Sequence, residues 1–251
     1  MYKKGNGDVF MFASFCVCLI AGLVCLSLFL KFRVQKSTAK AAVVKAITSV
    51  FFILTAVFAT LNAYDKLSLE KLLFAGLVVG GLVCGLLGDI WLDLKFVYRE
   101  DERFFTYSGF LSFAVGHFFY IASVICGING KLSVWAVLCS FALALIAALV
   151  IFFGEKAMQL KYGEYKLIST LYGALLFFMT AFCGFNAFFG GIADNMHLLV
   201  MAIGGVFFII SDLILSGTYF GEGKNRPVDI ITNHVTYYIA QFIIASAILF
   251  I

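Results

Sequence analysis

The chain has 251 residues, of which 63% are hydrophobic and only 13% are Asp, Glu, Lys or Arg; its mean hydropathy is +1.04 and its formal net charge +4. Soluble domains are about a quarter charged, and a soluble protein of this length has no core large enough to hide so much apolar surface. A soluble globular domain, a disordered chain and a nucleic-acid binder are thereby excluded, which leaves a polytopic all-α membrane protein.

A spanning helix needs about 20 apolar residues. Eight stretches qualify in chain order: Val9–Leu30, Ala41–Leu61, Leu72–Leu94, Phe104–Ile125, Leu132–Phe153, Lys166–Phe188, Leu198–Leu215 and Asp229–Phe250. The first is too long for the apolar part of a signal peptide, and no small-residue cleavage site follows it before Lys31, so it reads as a true span. A single proline and the lack of polar linkers predict one compact bundle of eight transmembrane helices over residues 1–251, as a single domain. All seven cysteines fall inside apolar runs and read as small buried hydrophobes rather than a disulfide framework. Cys16 and Cys18 have no His or Cys nearby in sequence with which to hold a metal. No internal repeat is evident.

The connections carry most of the charge. Those after the odd-numbered spans hold twelve basic residues: Lys31, Arg33, Lys36 and Lys40; Lys95, Arg99 and Arg103; Lys156, Lys161 and Lys166; Lys224 and Arg226. The opposite side holds five, Lys3, Lys4, Lys66, Lys71 and Lys131. The positive-inside rule then places both termini on the non-cytoplasmic side.

Every ionisable group inside hydrocarbon needs a reason. The candidates are Lys45, Asp89, Asp93, His117, Asp212 and His234, with Tyr172, Tyr237, Tyr238 and Gln241 as weaker ones. At a rise of about 1.5 Å per residue, Lys45, Tyr172 and His234 fall one to two turns after the starts of their helices and Asp89 and Asp212 about one turn before the ends of theirs, which puts all five on the cytoplasmic third of the membrane. Five helices thus place polar groups at one depth, as a binding cavity open to one side would require. Lys45 either faces that cavity or snorkels to the interface. Asp93, beside Lys95, is expected at the interface and His234 at a solvated helix start. His117 lies nearer the far leaflet, as a cavity floor or as a hydrogen-bonded structural histidine. Tyr237 and Tyr238 point to different faces, so at most one faces the cavity. Asp89 and Asp212 have apolar flanks and no stem with which to snorkel. Gly85 and Gly88 precede the one and Gly204 and Gly205 the other, letting neighbouring helices approach.

Together these segments resemble the YhhN-like family of integral membrane proteins, whose characterised members are lysoplasmalogenases. The resemblance runs through Leu87-Gly88-Asp89-Ile90-Trp91-Leu92, then Gly109, Phe113, His117 and Tyr120 along one helix. It continues at Phe208-Ile209-Ile210-Ser211-Asp212 and ends at Tyr238-Ile239-Ala240-Gln241. Lys45 matches the family lysine on the second helix, although Ala46 stands where the family usually has Pro. The resemblance implies hydrolysis of the vinyl ether bond of a lysophospholipid to a fatty aldehyde and a glycerophospho-base. Asp89 and Asp212 would be catalytic, and Lys45, His117, Tyr120, Tyr172, Ser211, Tyr238 and Gln241 would bind substrate.

The residues are consistent with such chemistry. A vinyl ether breaks when its β-carbon is protonated, the oxocarbenium ion takes up water, and the hemiacetal collapses. Two carboxylates in different surroundings can divide this work. Two carboxylates at close range do not both ionise easily, so one is expected to keep its proton. Asp212 is favoured as donor because Ile209, Ile210, Leu213 and Ile214 surround it. No metal or cofactor is called for, and no G-x-S-x-G, H-E-x-x-H or phosphate-binding Gly loop occurs. Lys40, Arg99 and Arg103 sit where they can draw a lipid phosphate. A cavity opening toward the cytoplasmic leaflet, with an apolar extension for the lipid chain, is expected. The runner-up is a proton-coupled small-molecule or lipid carrier using the same aspartates, although such carriers usually show repeats or broken helices. The head group, the host membrane and the oligomeric state are not legible.

Overall fold

Hydrocarbon leaves an apolar run one way to satisfy its backbone within a single segment, and each of the eight runs folds as a helix. The computed structural model describes residues 4–64, 67–223 and 225–251, with side chains from Val9 onward. Of the basic residues weighed above, Lys3, Lys66 and Lys224 and the side chain of Lys4 lie outside the described residues. The helices are α1 (Lys4–Val34), α2 (Thr38–Ala63), α3 (Leu69–Val97), α4 (Glu102–Gly127), α5 (Val134–Phe153), α6 (Lys166–Phe189), α7 (Met196–Phe220) and α8 (Pro227–Ser246). Among the described residues, eight helices are long and apolar enough to cross a membrane.

Most of the helices overrun the apolar stretches that predict them. Hydropathy falls at the first charge, but the helix continues through it: α1 carries Lys31 and Arg33 in its last turn, and α3 carries Lys95. The reverse holds at the C-terminus, where Ala247–Phe250 tightens into a 3-10 turn after α8. Ends are set by local chemistry. Ser68 and Ser133 accept the Lys71 and Ala136 N–H groups at the starts of α3 and α5. Pro227 opens α8, where Asp229 accepts from the Arg226 backbone and guanidinium.

Successive helices pack as antiparallel pairs, with α3 on α4, α1 on α2, α5 on α6 and α7 on α8. Helix α8 also touches α1, α2 and α3, and its span is the most buried of the eight, whereas α5 packs chiefly on α6. The α3/α4 seam is tight because small residues meet there. A Cβ on Gly88 would come within 2.6 Å of the Phe113 ring, and one on Gly116 within 3.0 Å of the Gly81 carbonyl oxygen. The outer surface is apolar, with Trp135, Phe141, Leu145 and Phe153 on α5 all exposed.

Both ends of the bundle are tied. At one end the Lys161 N–H donates to the Phe220 carbonyl at 2.8 Å, joining the α5–α6 connection to the end of α7. In that connection Lys166 and the Tyr162 N–H donate to Glu155, holding its carboxyl below the usual carboxylate range. At the other end Asn195 accepts from the Asn129 N–H and donates to the Gly190 carbonyl, joining the α4–α5 and α6–α7 connections. All seven cysteines are free, as expected of residues outside a disulfide framework; Cys18 and Cys183 are buried and the other five half-buried.

Candidate active site

A cavity of about 590 Å³ enters the bundle at the end where α1 meets α2, α3 meets α4, α5 meets α6 and α7 meets α8. Lys45, Asp89, Tyr172, Asp212 and His234 all line it, so the five residues expected at one depth share one cavity. Helical spacing aims them. Lys45 and Ser49, four apart on α2, face Asp89 and Asp93, four apart on α3.

These two stripes make a buried charge cluster. Lys45 Nζ lies 3.1 Å from Asp89 Oδ1 and 3.3 Å from Asp93 Oδ1. Arg33, from α1, pairs with the other Asp93 oxygen and lies over the Phe29 and Phe96 rings. Asp89 Oδ2 accepts from Ser49 at 2.6 Å and from Tyr237 at 2.8 Å. Two cations and two carboxylates therefore balance, and both Asp89 oxygens are engaged. The Asp93 expectation is corrected: it is 3% exposed rather than interfacial, because Arg33 and Lys45 both close on it. Lys45, at 5% exposure, does not snorkel.

Asp212 sits differently. Tyr172 donates to its Oδ2 at 2.6 Å, and among the described residues no cation pairs with it. No hydrogen bond joins the two aspartates, so they share a cavity without touching. The rings of Phe113, Phe208 and Tyr237 form one cluster on the same cavity, with Phe208 and Tyr237 5.4 Å apart. Beside Asp212 a second, apolar groove of about 80 Å³ runs between α6 and α7 with Ile151 of α5, lined by Gly173, Leu176, Ile209 and Leu213. Leu213 is exposed, so the groove reaches the outer surface of the bundle.

Behind the cavity wall lies a layer of hydrogen-bonded side chains. Gln241 donates to Tyr237 at 3.0 Å and accepts from Tyr120 at 3.3 Å. His117 Nε2 lies 3.4 Å from the Tyr172 hydroxyl, with its ring against Phe208; its Nδ1 has no partner. Tyr238 donates to the Lys45 carbonyl and lies 3.1 Å from Ser49. Of the residues expected to line the site, Lys45, Tyr172 and Ser211 do, whereas His117, Tyr120, Tyr238 and Gln241 stand one layer back. Of the α8 pair, Tyr237 is the one on the cavity: the phase of α8 turns Tyr238 into the contact with α2. His117 is no floor, because Tyr172 and Phe208 cover it. His234 is half-buried on the cavity rather than solvated, with its Nδ1 2.7 Å from the Ile230 carbonyl and its ring edge-on to Phe29.

Two other functional candidates were missed. Ser49 and Asn233 hold site residues, Ser49 by donating to Asp89 and Asn233 by hydrogen bonds to the Ser211 backbone and hydroxyl. Serine and asparagine cost little in a membrane helix and stand out only once their partners are seen. Of the basic residues expected to draw a phosphate, Arg99 lines the cavity mouth; Lys40 does not, and Arg103 pairs with Glu164. Among the described residues no three His, Cys, Asp or Glu side chains cluster as a metal site would need.

Eight helices among the described residues, each long and apolar enough to cross a membrane and packed around a cavity with buried carboxylates, are the architecture of a multi-pass membrane protein. Residues 40–248 match the model of the YhhN family, and the chain belongs to that family. No curated protein and no solved structure matches it. Ala46, where the family resemblance leads one to expect Pro, leaves α2 unbroken from Thr38 to Ala63.

Proposed function

We propose that the chain is a lysoplasmalogenase-like hydrolase that cleaves the vinyl ether of a lysophospholipid with water. The observation that carries this reading is the contrast between two carboxylates on one cavity. Asp89 is neutralised by Lys45 and held by Ser49 and Tyr237, whereas Asp212 has a neutral phenol as its partner and an apolar groove beside it. Asp89 is accordingly the fixed anion and Asp212 the proton carrier. Tyr172 occupies one Asp212 oxygen, leaving the other for the proton.

In the first step the Asp212 proton goes to the β-carbon of the vinyl ether, whose π electrons form the new C–H bond. The ether oxygen becomes part of an oxocarbenium ion, opposite which Asp89 supplies negative charge. Water from the cavity adds to the cationic carbon, and its proton returns to Asp212. The hemiacetal then loses its hydroxyl proton as the C–O bond to glycerol breaks and the glycerol oxygen is protonated. The products are a fatty aldehyde and the glycerophospho-base. Release of long-chain aldehyde from lysoplasmalogen by the purified protein tests the reading. No release, with a known lysoplasmalogenase active in the same assay, overturns it. The carrier alternative predicts uptake into sealed vesicles without aldehyde.

The apolar groove at Asp212 is the path for the lipid chain. Gly173 forms part of its wall, and a Cβ there already collides with Ile151. Gly173→Phe is expected to lower kcat/KM for a sixteen-carbon alkenyl substrate by about ten-fold or more, the scale of overpacking a close-fitted wall. A four-carbon alkenyl substrate should be affected little. Equal losses on both chain lengths would remove the groove from this role.

With twelve basic residues against five, the cavity mouth faces the cytoplasmic leaflet and both termini lie on the other side. Single cysteines introduced at Gln35 and Asn225, on a cysteine-free background, are expected to react with an impermeant maleimide only from the cytoplasmic side. Labelling from the opposite side of sealed vesicles would reverse the orientation.

A further inference from the structure

Two of the cations on the cavity are committed. Lys45 is held between Asp89 and Asp93, and Arg33 is paired with Asp93. Lys95 is not. It stands in the last turn of α3, lines the cavity and is 6% exposed. Its Nζ lies 3.3 Å from the centre of the Tyr219 ring and 5.2 Å from that of Phe96. Among the described residues its ammonium makes no ion pair and no hydrogen bond.

An ammonium withdrawn from water needs an anion, and an aromatic face offsets only part of its desolvation. The nearby carboxylates do not supply one. Asp93 is engaged by Arg33 and Lys45, while Glu102, also on the cavity, is solvent-exposed and outside ion-pair distance. A lysine at a helix end ordinarily extends its ammonium into water. Here Tyr219 and Phe96 hold it turned inward, so an anion entering the cavity completes its coordination.

We propose that Lys95 is the anchor for the phosphodiester of a single-chain lipid. The assignment of that lipid to the site rests on the hydrolase reading above. The geometry suits it. Lys95 lies six residues along α3 from Asp89 toward the mouth, about 9 Å of helix axis. In a lysolipid the phosphorus stands a few bonds nearer the interface than the ether at glycerol carbon one. Arg99 and Lys36, both on the mouth, draw the anion in, and Lys95 fixes it. Lys45 is thereby freed from any headgroup role and belongs to the carboxylates.

The test uses the purified full chain in detergent micelles and two saturated ethers, which lack the vinyl bond: 1-O-hexadecyl-glycerophosphocholine and 1-O-hexadecylglycerol. The wild-type protein is expected to bind the phospholipid about ten-fold or more tightly than the uncharged glycerol ether, as a charge-assisted contact implies. Lys95→Met should abolish that preference and leave glycerol-ether binding unchanged, and Lys95→Arg should keep most of it. Equal wild-type affinities, or equal weakening of both ligands in Lys95→Met, overturn the proposal. Displacement of the phospholipid by equimolar inorganic phosphate would assign the site to the free anion instead. Should Lys95→Met fail to fold, the wild-type comparison and Lys95→Arg still decide. Binding and turnover separate the two readings. A headgroup preference lost in Lys95→Met, together with no aldehyde from lysoplasmalogen, leaves the subsite standing and removes the reaction. Aldehyde release without a headgroup preference does the reverse.

Discussion

Asp212→Asn is expected to abolish aldehyde release while leaving lipid binding and fold intact. The amide has the shape of the carboxyl group, and its carbonyl can still accept the Tyr172 hydroxyl that now reaches Oδ2 at 2.6 Å. It disturbs no ion pair among the described residues, because Asp212 has none there. What it removes is an acid able to protonate carbon, and losing a positioned general acid costs roughly 10²–10⁴-fold in rate. The loss should fall on kcat, with the Kd for a saturated ether analogue unchanged. Tyr172→Phe should cost far less, since it orients the acid without carrying the proton. Asp89→Asn provides the contrast: it leaves Asp93 alone to balance both Lys45 and Arg33, with one buried positive charge in excess, so it should lower stability as well as turnover. Asp212→Asn retaining kcat within a few-fold of wild type would assign the proton to another group.

The sequence made the membrane class and the depth of the site legible for one reason: burial in lipid leaves few explanations for a charge. Eight apolar runs could only be helices, and five polar residues at one depth marked the cavity that Lys45, Asp89, Tyr172, Asp212 and His234 now line. What stayed hidden depends on rotation and on partners distant in sequence. Asp93 looked interfacial because Lys95 stands two residues away, but its partner is Arg33, sixty residues earlier on α1. Lys95 itself counted as a loop charge until Tyr219 and Phe96 were seen to turn it inward. Tyr237 and Tyr238 differ by about 100° around α8, and no sequence pattern fixes which one meets the cavity. His117 and Gln241 carry the family resemblance yet stand behind the wall. They meet residues of the wall, His117 at Tyr172 and Phe208 and Gln241 at Tyr237.

The balance inside the α2/α3 cluster gives the other large effect. Arg33, Lys45, Asp89 and Asp93 carry two charges of each sign, all withdrawn from solvent. Lys45 touches both carboxylates, so its removal leaves Asp89 with only Ser49 and Tyr237 as donors and the cluster with one uncompensated negative charge. Breaking a buried pair from one side typically costs about 3–5 kcal/mol, mostly through the charge left behind. Lys45→Met, which keeps the volume of the stem, is expected to destabilise the protein by about that much in reversible unfolding from detergent. Adding Asp89→Asn restores neutrality, so the double variant should be more stable than Lys45→Met alone, and the two single losses should not add. Turnover should vanish in all three variants, because each removes either the fixed anion or the cation that holds it in place. Additive losses of stability would mean that Lys45 and Asp89 do not depend on one another. The cluster would then be a packing feature of the α2/α3 seam rather than the electrostatic frame that keeps Asp89 charged in the membrane.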